Sequence, residues 1–159
     1  MKAFYFLLCG TLLLSGCSHS YFIVRHAEKG TSGTNPSDLP LSAEGIARAE
    51  RIKTLLERKK VEKIYATPTQ RAIATAQPLS TALKVKIDTY GPLPDKTFIE
   101  HLRTLKKNTL IIGHSNTIDD IANALLKNKR LNDLPDSAYD NLYIIKQKGD
   151  KVRLKEKKF

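Results

Sequence analysis

The chain has 159 residues, which is enough for one domain with a full hydrophobic core and too few for a large multidomain assembly. Hydrophobic residues make up 41% and charged residues 27%, which is typical of a soluble globular protein and excludes intrinsic disorder for the bulk of the chain. The 27 Lys and Arg residues outnumber the 16 Asp and Glu residues and give a formal net charge of +11, which favours anionic partners such as phosphoesters, nucleic acids or acidic membranes.

The N-terminus has the pattern of a secretory signal. Lys2 provides a positive start, an apolar run extends over residues 3–14, and Leu14-Ser15-Gly16-Cys17 closes it. The run is too short to span a bilayer as a helix, which needs about 20 residues. The Leu-Ser-Gly-Cys ending resembles the lipobox of bacterial lipoproteins, which implies cleavage of residues 1–16 and lipidation of Cys17. A cleaved signal without lipidation and an uncleaved anchor are the alternatives.

A lipidated chain would contact the membrane through Cys17, with residues 17–20 as a lipidated linker to a domain over residues 21–159. We therefore expect a lipid-anchored protein of the bacterial cell envelope, on its periplasmic or outer-membrane face. Cys9 would be removed with the signal and Cys17 modified, so no thiol remains for a disulfide. Because the linker reaches only about 10 Å, we expect the domain to lie against the membrane with the far end of its first strand facing away.

The first half of the domain alternates strands with helices. Residues 21–24 form an apolar, β-branched run typical of a buried strand, and glycines and prolines predict a loop over 29–41. Ser42 can cap a helix that extends to about Lys60. The predicted apolar face of this helix consists of Ile46, Ala49, Ile52 and Leu56. A second strand follows at 63–66, then a helix over 69–83, in which Pro78 predicts a kink or an early end.

The second half continues the alternation. The elements predicted in order are an edge strand within 85–90, a turn at 91–94, a helix over 96–106, a buried strand at 109–112, a helix from Asn116 or Thr117, a loop over 128–135 and a strand at 142–145. A Gly149-Asp150 turn would pair the last strand with residues 151–154. The alternation predicts an α/β fold, a three-layer sandwich with a mostly parallel central sheet flanked by helices.

Residue types that bind phosphate follow three of the predicted strands. Arg25-His26-Ala27-Glu28 follows the first, Thr67-Pro68-Thr69-Gln70-Arg71-Ala72 the second, and Gly113-His114-Ser115-Asn116 the strand at 109–112. Ligands of parallel sheets bind beyond the carboxyl ends of the strands, so we expect the three segments to meet in one crevice. Guanidinium groups and helix N-termini both bind phosphate oxygens. The pattern therefore predicts a site for a phosphate-like dianion.

The motifs resemble those of the histidine phosphatase superfamily, also called phosphoglycerate mutase-like proteins. The matching segments are Arg25-His26-Ala27-Glu28, Leu41-Ser42-x-x-Gly45, Thr67-Pro68-x-x-Arg71-Ala72-x-x-Thr75-Ala76 and Gly113-His114-Ser115-Asn116. They run in the family's order between Tyr21 and Ile145. Because four ordered segments match, the resemblance is specific.

The resemblance implies a phosphoric monoester hydrolase that needs no metal and no other cofactor. His26 would attack phosphorus and become a phosphohistidine, and water would then release phosphate. Arg25, Arg71 and His114 would bind the phosphoryl oxygens. The expected substrate is a small phosphorylated molecule, either a phosphomonoester or a phosphohistidine. The alternative function is a non-catalytic surface lipoprotein that binds phosphate or phosphorylated glycans through the same pocket.

The general acid is left open by the sequence. Ser115 stands where one branch of the family carries an Asp, so that assignment fails. Asp95 and Glu100 lie in the region where the mutase branch supplies a Glu, although neither is in a matching motif. Glu28, within the first motif, is a tentative catalytic residue that could instead pair with Arg25 or cap a loop. A substrate with a good leaving group would need little acid.

The remaining residues of interest have structural interpretations. We expect Thr75 to pack in the core, Asn116 to cap a helix, and His19 and His101 to lie on the surface. The basic tail, residues 146–159, is either a solvated face or a contact for anionic lipid headgroups. Nucleic acid is not expected as a partner because no recognition motif is present. The oligomeric state is left open.

Overall fold

One six-stranded sheet forms the centre of the domain. A computed structural model describes residues 18–159 and shows the strands as β1 (Ser18–Arg25), β2 (Lys63–Ala66), β3 (Ile87–Thr89), β4 (Thr109–Gly113), β5 (Asn141–Lys148) and β6 (Lys151–Lys158). The order is β3-β2-β4-β1-β5-β6, in which the first four strands are parallel and β5 and β6 form an antiparallel hairpin at the edge. The predicted mostly parallel α/β sheet is confirmed. The predicted signal segment and the lipidated Cys17 lie outside the described residues.

Helices cover both faces of the sheet. They are α1 (Ala43–Leu56), α2 (Gln70–Leu83), α3 (Lys96–Leu105) and α4 (Ile118–Leu126). Because successive strand residues point to opposite faces, Tyr21 and Ile23 of β1 pack in the core with α3 and α4, whereas Phe22 and Val24 pack with α1 and α2. None of the helices in residues 18–159 combines the length and the apolar composition that crossing a membrane requires.

The first strand begins earlier than the sequence predicts. Ser18 lies opposite Lys148 of β5, so residues 18–20 are part of the sheet and the predicted linker over these three residues is wrong. The prediction that His19 lies on the surface is also wrong, because its side chain is buried and its Nε2 lies 3.0 Å from the Tyr21 hydroxyl. Pairing with a strand more than a hundred residues later supplies the order that the short polar segment lacks by itself.

Helix α1 starts where predicted and buries Ala49, Ile52 and Leu56 of its predicted apolar face. The Ser42 hydroxyl accepts a hydrogen bond from the Gly45 backbone at 3.1 Å, and the helix ends at Leu56 rather than near Lys60. Ile46, predicted as buried, is 58% exposed. Gly45 is the buried residue of the first turn, because the helix lies directly on the Glu28 backbone there; a Cβ atom on Gly45 would be 2.2 Å from the Glu28 carbonyl oxygen.

Four lysines have an unusual backbone conformation, and three of them are at helix ends. Lys60, Lys84, Lys106 and Lys127 have positive φ angles between 47° and 55°, in the left-handed region where glycine or asparagine is common. Lys84, Lys106 and Lys127 are the C-caps of α2, α3 and α4. Pro78 lies inside α2, which continues to Leu83, so the early end considered for this helix does not occur.

Candidate active site

The pairing of β1 with β4 brings two histidines together. Arg25 lies opposite Gly113 at the ends of the two strands, and the His26 backbone N–H donates to the Gly113 carbonyl at 2.9 Å. The next residue along β4 is His114, and the centroids of the two imidazole rings are 5.2 Å apart. Gly113 is required at this point, because a Cβ atom there would lie 2.7 Å from the Tyr90 hydroxyl.

The surroundings of His26 fix its tautomer. Its Nδ1 lies 2.8 Å from the Ala27 carbonyl oxygen, which can only accept a hydrogen bond, so we assign the ring proton to Nδ1. Nε2 then carries a lone pair and accepts a hydrogen bond from Arg71 Nε at 3.1 Å. Burial, followed by the charge of Arg71, lowers the pKa of His26 to about 3 against the opposing effect of the Ala27 carbonyl. His26 is therefore an uncharged potential nucleophile at neutral pH.

Arg71 is positioned by the first turn of α2 and by the loop before α1. Thr69 caps the helix, and the Asp38 carboxylate accepts from the Gln70 backbone at 2.9 Å and pairs with Arg71 Nη1 at 3.5 Å. Thr75, buried as predicted, also has a polar role: its hydroxyl donates to the Arg71 carbonyl at 2.7 Å and accepts from the Ala27 backbone at 2.9 Å. Thr75 therefore connects the arginine segment to the histidine segment.

His114 faces the same space from β4. Its Nε2 lies 3.0 Å from the hydroxyl of buried Thr67, and its backbone N–H donates to the Thr117 hydroxyl at 3.0 Å. Burial, and then the nearby guanidinium groups of Arg71 and Arg25, lower the pKa of His114. Thr117 rather than Asn116 is the residue that precedes α4, and Asn116 is exposed, so the capping role predicted for Asn116 is wrong.

Arg25 is buried below a loop that the sequence did not connect with it. Its Nη1 donates to the carbonyl oxygens of Pro135, Asp136 and Ala138 at 2.9–3.3 Å, and its guanidinium carbon lies 4.1 Å from the centroid of the Tyr139 ring. Its buried Nε has no hydrogen-bond partner among the described residues. Arg25 therefore holds residues 135–139 in place, and its Nε–H is a buried donor to which none of the described residues is bonded.

The carboxylates considered as general acids are engaged elsewhere. Both Glu28 oxygens accept from Arg48 Nε at 2.8 Å. Burial alone would raise the pKa of Glu28, but the Arg48 hydrogen bonds outweigh it and hold this pKa below its usual range. Asp95 caps α3 by accepting from the Phe98 backbone at 2.7 Å, and exposed Glu100 pairs with Arg103 at 2.5 Å. Glu28 thus pairs with Arg48, and not with Arg25 as the sequence suggested.

A cavity of about 750 Å³ begins at Glu28 and Lys29, just after His26, and is itself lined by none of Arg25, His26, Arg71 and His114. Its lining includes Lys29, the hydroxyl groups of Thr31 and Ser42, and the ring of Tyr139, whose centroid is 6.1 Å from that of His26. A larger, mainly apolar cavity of about 1020 Å³ lies between α1 and α2 and is lined by none of Arg25, His26, Arg71 and His114. The Tyr139 ring places the smaller cavity beside His26, so we take this cavity as the space for the part of a ligand that extends beyond the phosphate-binding residues.

The structure gives mixed results for the remaining predicted residues. It brings Arg25, His26, Arg71 and His114 together at the carboxyl ends of β1, β2 and β4, as the motifs predict. His101 is exposed, as predicted. Within residues 18–159 there is no cluster of three His, Cys, Asp or Glu side chains suited to a metal ion. Asp38 and Tyr139 were not predicted as site residues, because each lies in a polar loop without a motif. Thr67 was noted as part of a motif, without a role of its own.

The buried histidine makes stability sensitive to pH. His26 takes up a proton near its usual pKa of about 6.5 when unfolded but only near 3 when folded, so the unfolded chain binds more protons between these values and the folded state loses stability as pH falls through that window. On going from about pH 7 to about pH 5, the wild-type protein should lose on the order of 2 kcal/mol more unfolding free energy than a His26→Gln variant. Urea unfolding at the two pH values measures the difference, and parallel losses in both proteins would contradict it.

Comparisons with known proteins agree with the motifs and the fold. Residues 21–94, which contain His26 and Arg71, match the family model of the histidine phosphatase superfamily, branch 1. The solved protein histidine phosphatase SixA complexed with tungstate superposes with a TM-score of 0.67 at 15% identity, over 87% of this chain and 96% of that one. The proposed phosphohistidine phosphatase SixA from Agrobacterium tumefaciens gives 0.61 at 20% identity, over 86% and 95%.

A third solved structure with a similar fold is named for a different substrate. The mycobacterial glucosyl-3-phosphoglycerate phosphatase complexed with VO3 superposes with a TM-score of 0.67 at 12% identity, over 89% of this chain and 98% of that one. The search of functionally curated proteins gave no match. The family model confirms the resemblance to the histidine phosphatase superfamily over residues 21–94, and the solved structures show the same fold.

Proposed function

We propose, from the match of this chain to the histidine phosphatase superfamily, that it is a metal-independent phosphatase that hydrolyses small phosphomonoesters or phosphohistidine through a phosphohistidine intermediate on His26. The observation that carries the proposal is the uncharged Nε2 of His26 beside Arg71 and His114. A buried imidazole with a free lone pair is a nucleophile, and the surrounding cations neutralise phosphoryl charge. The solved structures of similar fold that are complexed with tungstate and with VO3 support an oxyanion as the ligand.

The first step forms the covalent intermediate. The phosphoryl group takes over the Arg71 hydrogen bond that Nε2 accepts in its absence, and Nε2 forms a bond to phosphorus. The phosphorus–oxygen bond to the leaving group breaks, and its electron pair stays on the leaving oxygen. The ring becomes positively charged, and the Nδ1–H bond to the Ala27 carbonyl at 2.8 Å stabilises that charge.

The second step regenerates the enzyme. Water attacks phosphorus, the phosphorus–nitrogen bond breaks, and its electron pair returns to Nε2 while the water proton passes to solvent. Arg71, His114 and the free Nε–H of Arg25 bind the phosphoryl oxygens throughout. The cavity lined by Lys29, Thr31, Ser42 and Tyr139 accommodates the rest of a small substrate.

Trapping the intermediate tests the proposal. The full chain is mixed with radiolabelled acetyl phosphate and quenched in alkaline denaturant, because the phosphorus–nitrogen bond is stable to base and labile to acid. We expect label on the peptide containing His26 in the wild-type protein and none in His26→Ala. A wild-type protein that binds phosphate but acquires no label and hydrolyses no phosphomonoester would instead support the alternative, a phosphate- or phosphoglycan-binding protein.

The engaged carboxylates predict which substrates are favoured. Because Glu28, Asp95 and Glu100 each have another partner, the leaving group receives little proton donation from the protein. For a series of aryl phosphates, kcat/KM should fall steeply as the pKa of the leaving phenol rises, by roughly the 10²–10⁴-fold range that a general acid otherwise supplies. A flat series would show that a proton donor acts at this site, and Glu28→Gln would then identify or exclude Glu28.

A further inference from the structure

The connections that lead into the strands lie far from the histidines. Parallel β1, β2 and β4 all carry the proposed active site at their carboxyl ends, so the preceding connections meet at the opposite, amino end of the sheet. Strand β1 extends from Ser18 to Arg25, which at about 3.3 Å per residue separates the two ends by roughly 23 Å. A surface at the amino end can therefore act independently of the phosphate pocket.

Exposed lysines concentrate at this amino end. We call the surface formed by Lys59, Lys60, Lys106, Lys107, Lys148 and Lys151 the basic edge, and all six residues are exposed. The acidic residues in the same connections are Glu57, Glu62 and Asp150. No lysine of the basic edge has an ion pair within residues 18–159. Their charges are therefore available to a partner.

Specific contacts place the basic edge around the start of β1. The Asn108 side chain accepts from the Ser20 backbone at 2.8 Å and donates to the Lys59 carbonyl at 3.0 Å, which joins the α1–β2 and α3–β4 connections to β1. Ser18 lies opposite Lys148, which in turn lies opposite Lys151. Lys106 is close enough to His19 to contribute, after burial, to lowering the pKa of that histidine.

The backbone of the basic edge gives a second, independent observation. Lys60 and Lys106 have φ angles of 51° and 47°, a region that glycine or asparagine occupies more readily than lysine. The helix dipole stabilises a positive charge at the carboxyl end of α3, where Lys106 lies. Lys60 lies four residues beyond the end of α1, where no such stabilisation is expected. At Lys60 neither the backbone conformation nor a helix end favours lysine. The positive charge is therefore the property of this residue that remains to account for it.

We propose that the basic edge docks on an anionic lipid bilayer, with the phosphate pocket facing away from it. Lysines that meet a flat array of phosphate headgroups need no fixed geometry, which suits six flexible side chains on separate connections. Ser18, the first residue of β1, lies in the middle of this surface. The residue before Ser18 in the sequence is Cys17, whose predicted lipidation would anchor the chain to the membrane.

Vesicle binding of the full chain tests the proposal. The test variant carries Lys59→Gln, Lys107→Gln and Lys148→Gln, and the control carries Lys96→Gln, Lys155→Gln and Lys157→Gln, which changes net charge equally on exposed residues outside the basic edge. Vesicles of phosphatidylcholine alone measure the binding that does not depend on lipid charge. With equal parts of phosphatidylglycerol, the test variant should bind roughly 100-fold more weakly than wild type, and the control variant should bind within about threefold of wild type. The reason is that each lysine near an anionic surface raises the binding affinity by about fivefold.

Three results would overturn the proposal. The first is an equal loss of vesicle affinity in the two variants, and the second is wild-type binding that does not depend on phosphatidylglycerol. The third is a test variant that binds a short DNA duplex more weakly than wild type but binds vesicles equally well. Circular dichroism of both variants checks that they are folded. Hydrolysis of an aryl phosphate should be unchanged in both, because none of the six substituted residues contacts the pocket, so the outcome is separate from the proposed phosphatase activity.

Discussion

His26→Ala should lower kcat for hydrolysis of an aryl phosphate by at least about 10⁴-fold, the scale seen when an enzyme loses its nucleophile. The loss follows from the proposed chemistry, since Nε2 of His26 is the bare ring nitrogen that accepts from Arg71. Phosphate binding should survive, because Arg71, His114 and Arg25 keep their positions on α2, β4 and β1. Steady-state kinetics and isothermal titration with inorganic phosphate measure the two properties separately.

A matched control is available in the same chain. His101→Ala removes an exposed imidazole whose described contact is with Tyr65, outside the pocket, and it should leave kcat unchanged. If His26→Ala retained more than about a tenth of wild-type kcat, histidine catalysis at this position would be excluded and the phosphate-binding alternative would gain support.

Gly45→Ala should destabilise the fold by about 3 kcal/mol, at the upper end of the usual cost of overpacking. The new Cβ atom would lie 2.2 Å from the Glu28 carbonyl oxygen and 3.1 Å from its backbone nitrogen, so α1 or the segment after His26 has to move. Backbone atoms cannot change rotamer to relieve the clash. For a domain of this size the midpoint of thermal unfolding should fall by about 10 °C.

Gly91→Ala provides the comparison, because a Cβ atom there would meet only the Leu93 carbonyl oxygen at an ordinary 3.6 Å. This variant should unfold within about 0.5 kcal/mol of wild type. An equal, small effect of both substitutions would show that α1 lies less tightly on the Glu28 segment than described. The clash also explains why the Leu41-Ser42-x-x-Gly45 motif ends in glycine: Ser42 caps the helix and Gly45 admits the backbone below it.

The parts of the fold that local sequence determines could be predicted. Apolar and β-branched runs identified the buried strands, and the residues directly after them, His26 and His114, are adjacent because the two strands pair in register. Ser42 and Thr69 accept hydrogen bonds from their helices, as expected for residue types that cap. The site followed from one geometric rule, that parallel strands end at the same edge of the sheet.

The features that were missed depend on contacts between distant segments. His19 is buried because β1 extends along β5, and Ile46 is exposed because Gly45 is the residue of the first turn that lies against the Glu28 backbone. Arg25 could be placed near the pocket, but its carbonyl partners at residues 135–138 lie in an unpatterned loop. No local signal in a single sequence pairs a guanidinium with a particular carbonyl a hundred residues away.

The loop between β1 and α1 is closed at its base and free to vary at its tip. Lys29 forms a β-bridge with Leu41, and the Gly30 backbone donates to the Pro40 carbonyl at 2.8 Å. These contacts hold the two ends of the loop together. Lengthening such a loop adds little entropy cost, about 0.6 kcal/mol for each doubling. Its residues border the ligand cavity, and Asp38 reaches Arg71 from it. Proteins that share this sheet can therefore differ in substrate preference through the length and sequence of this loop.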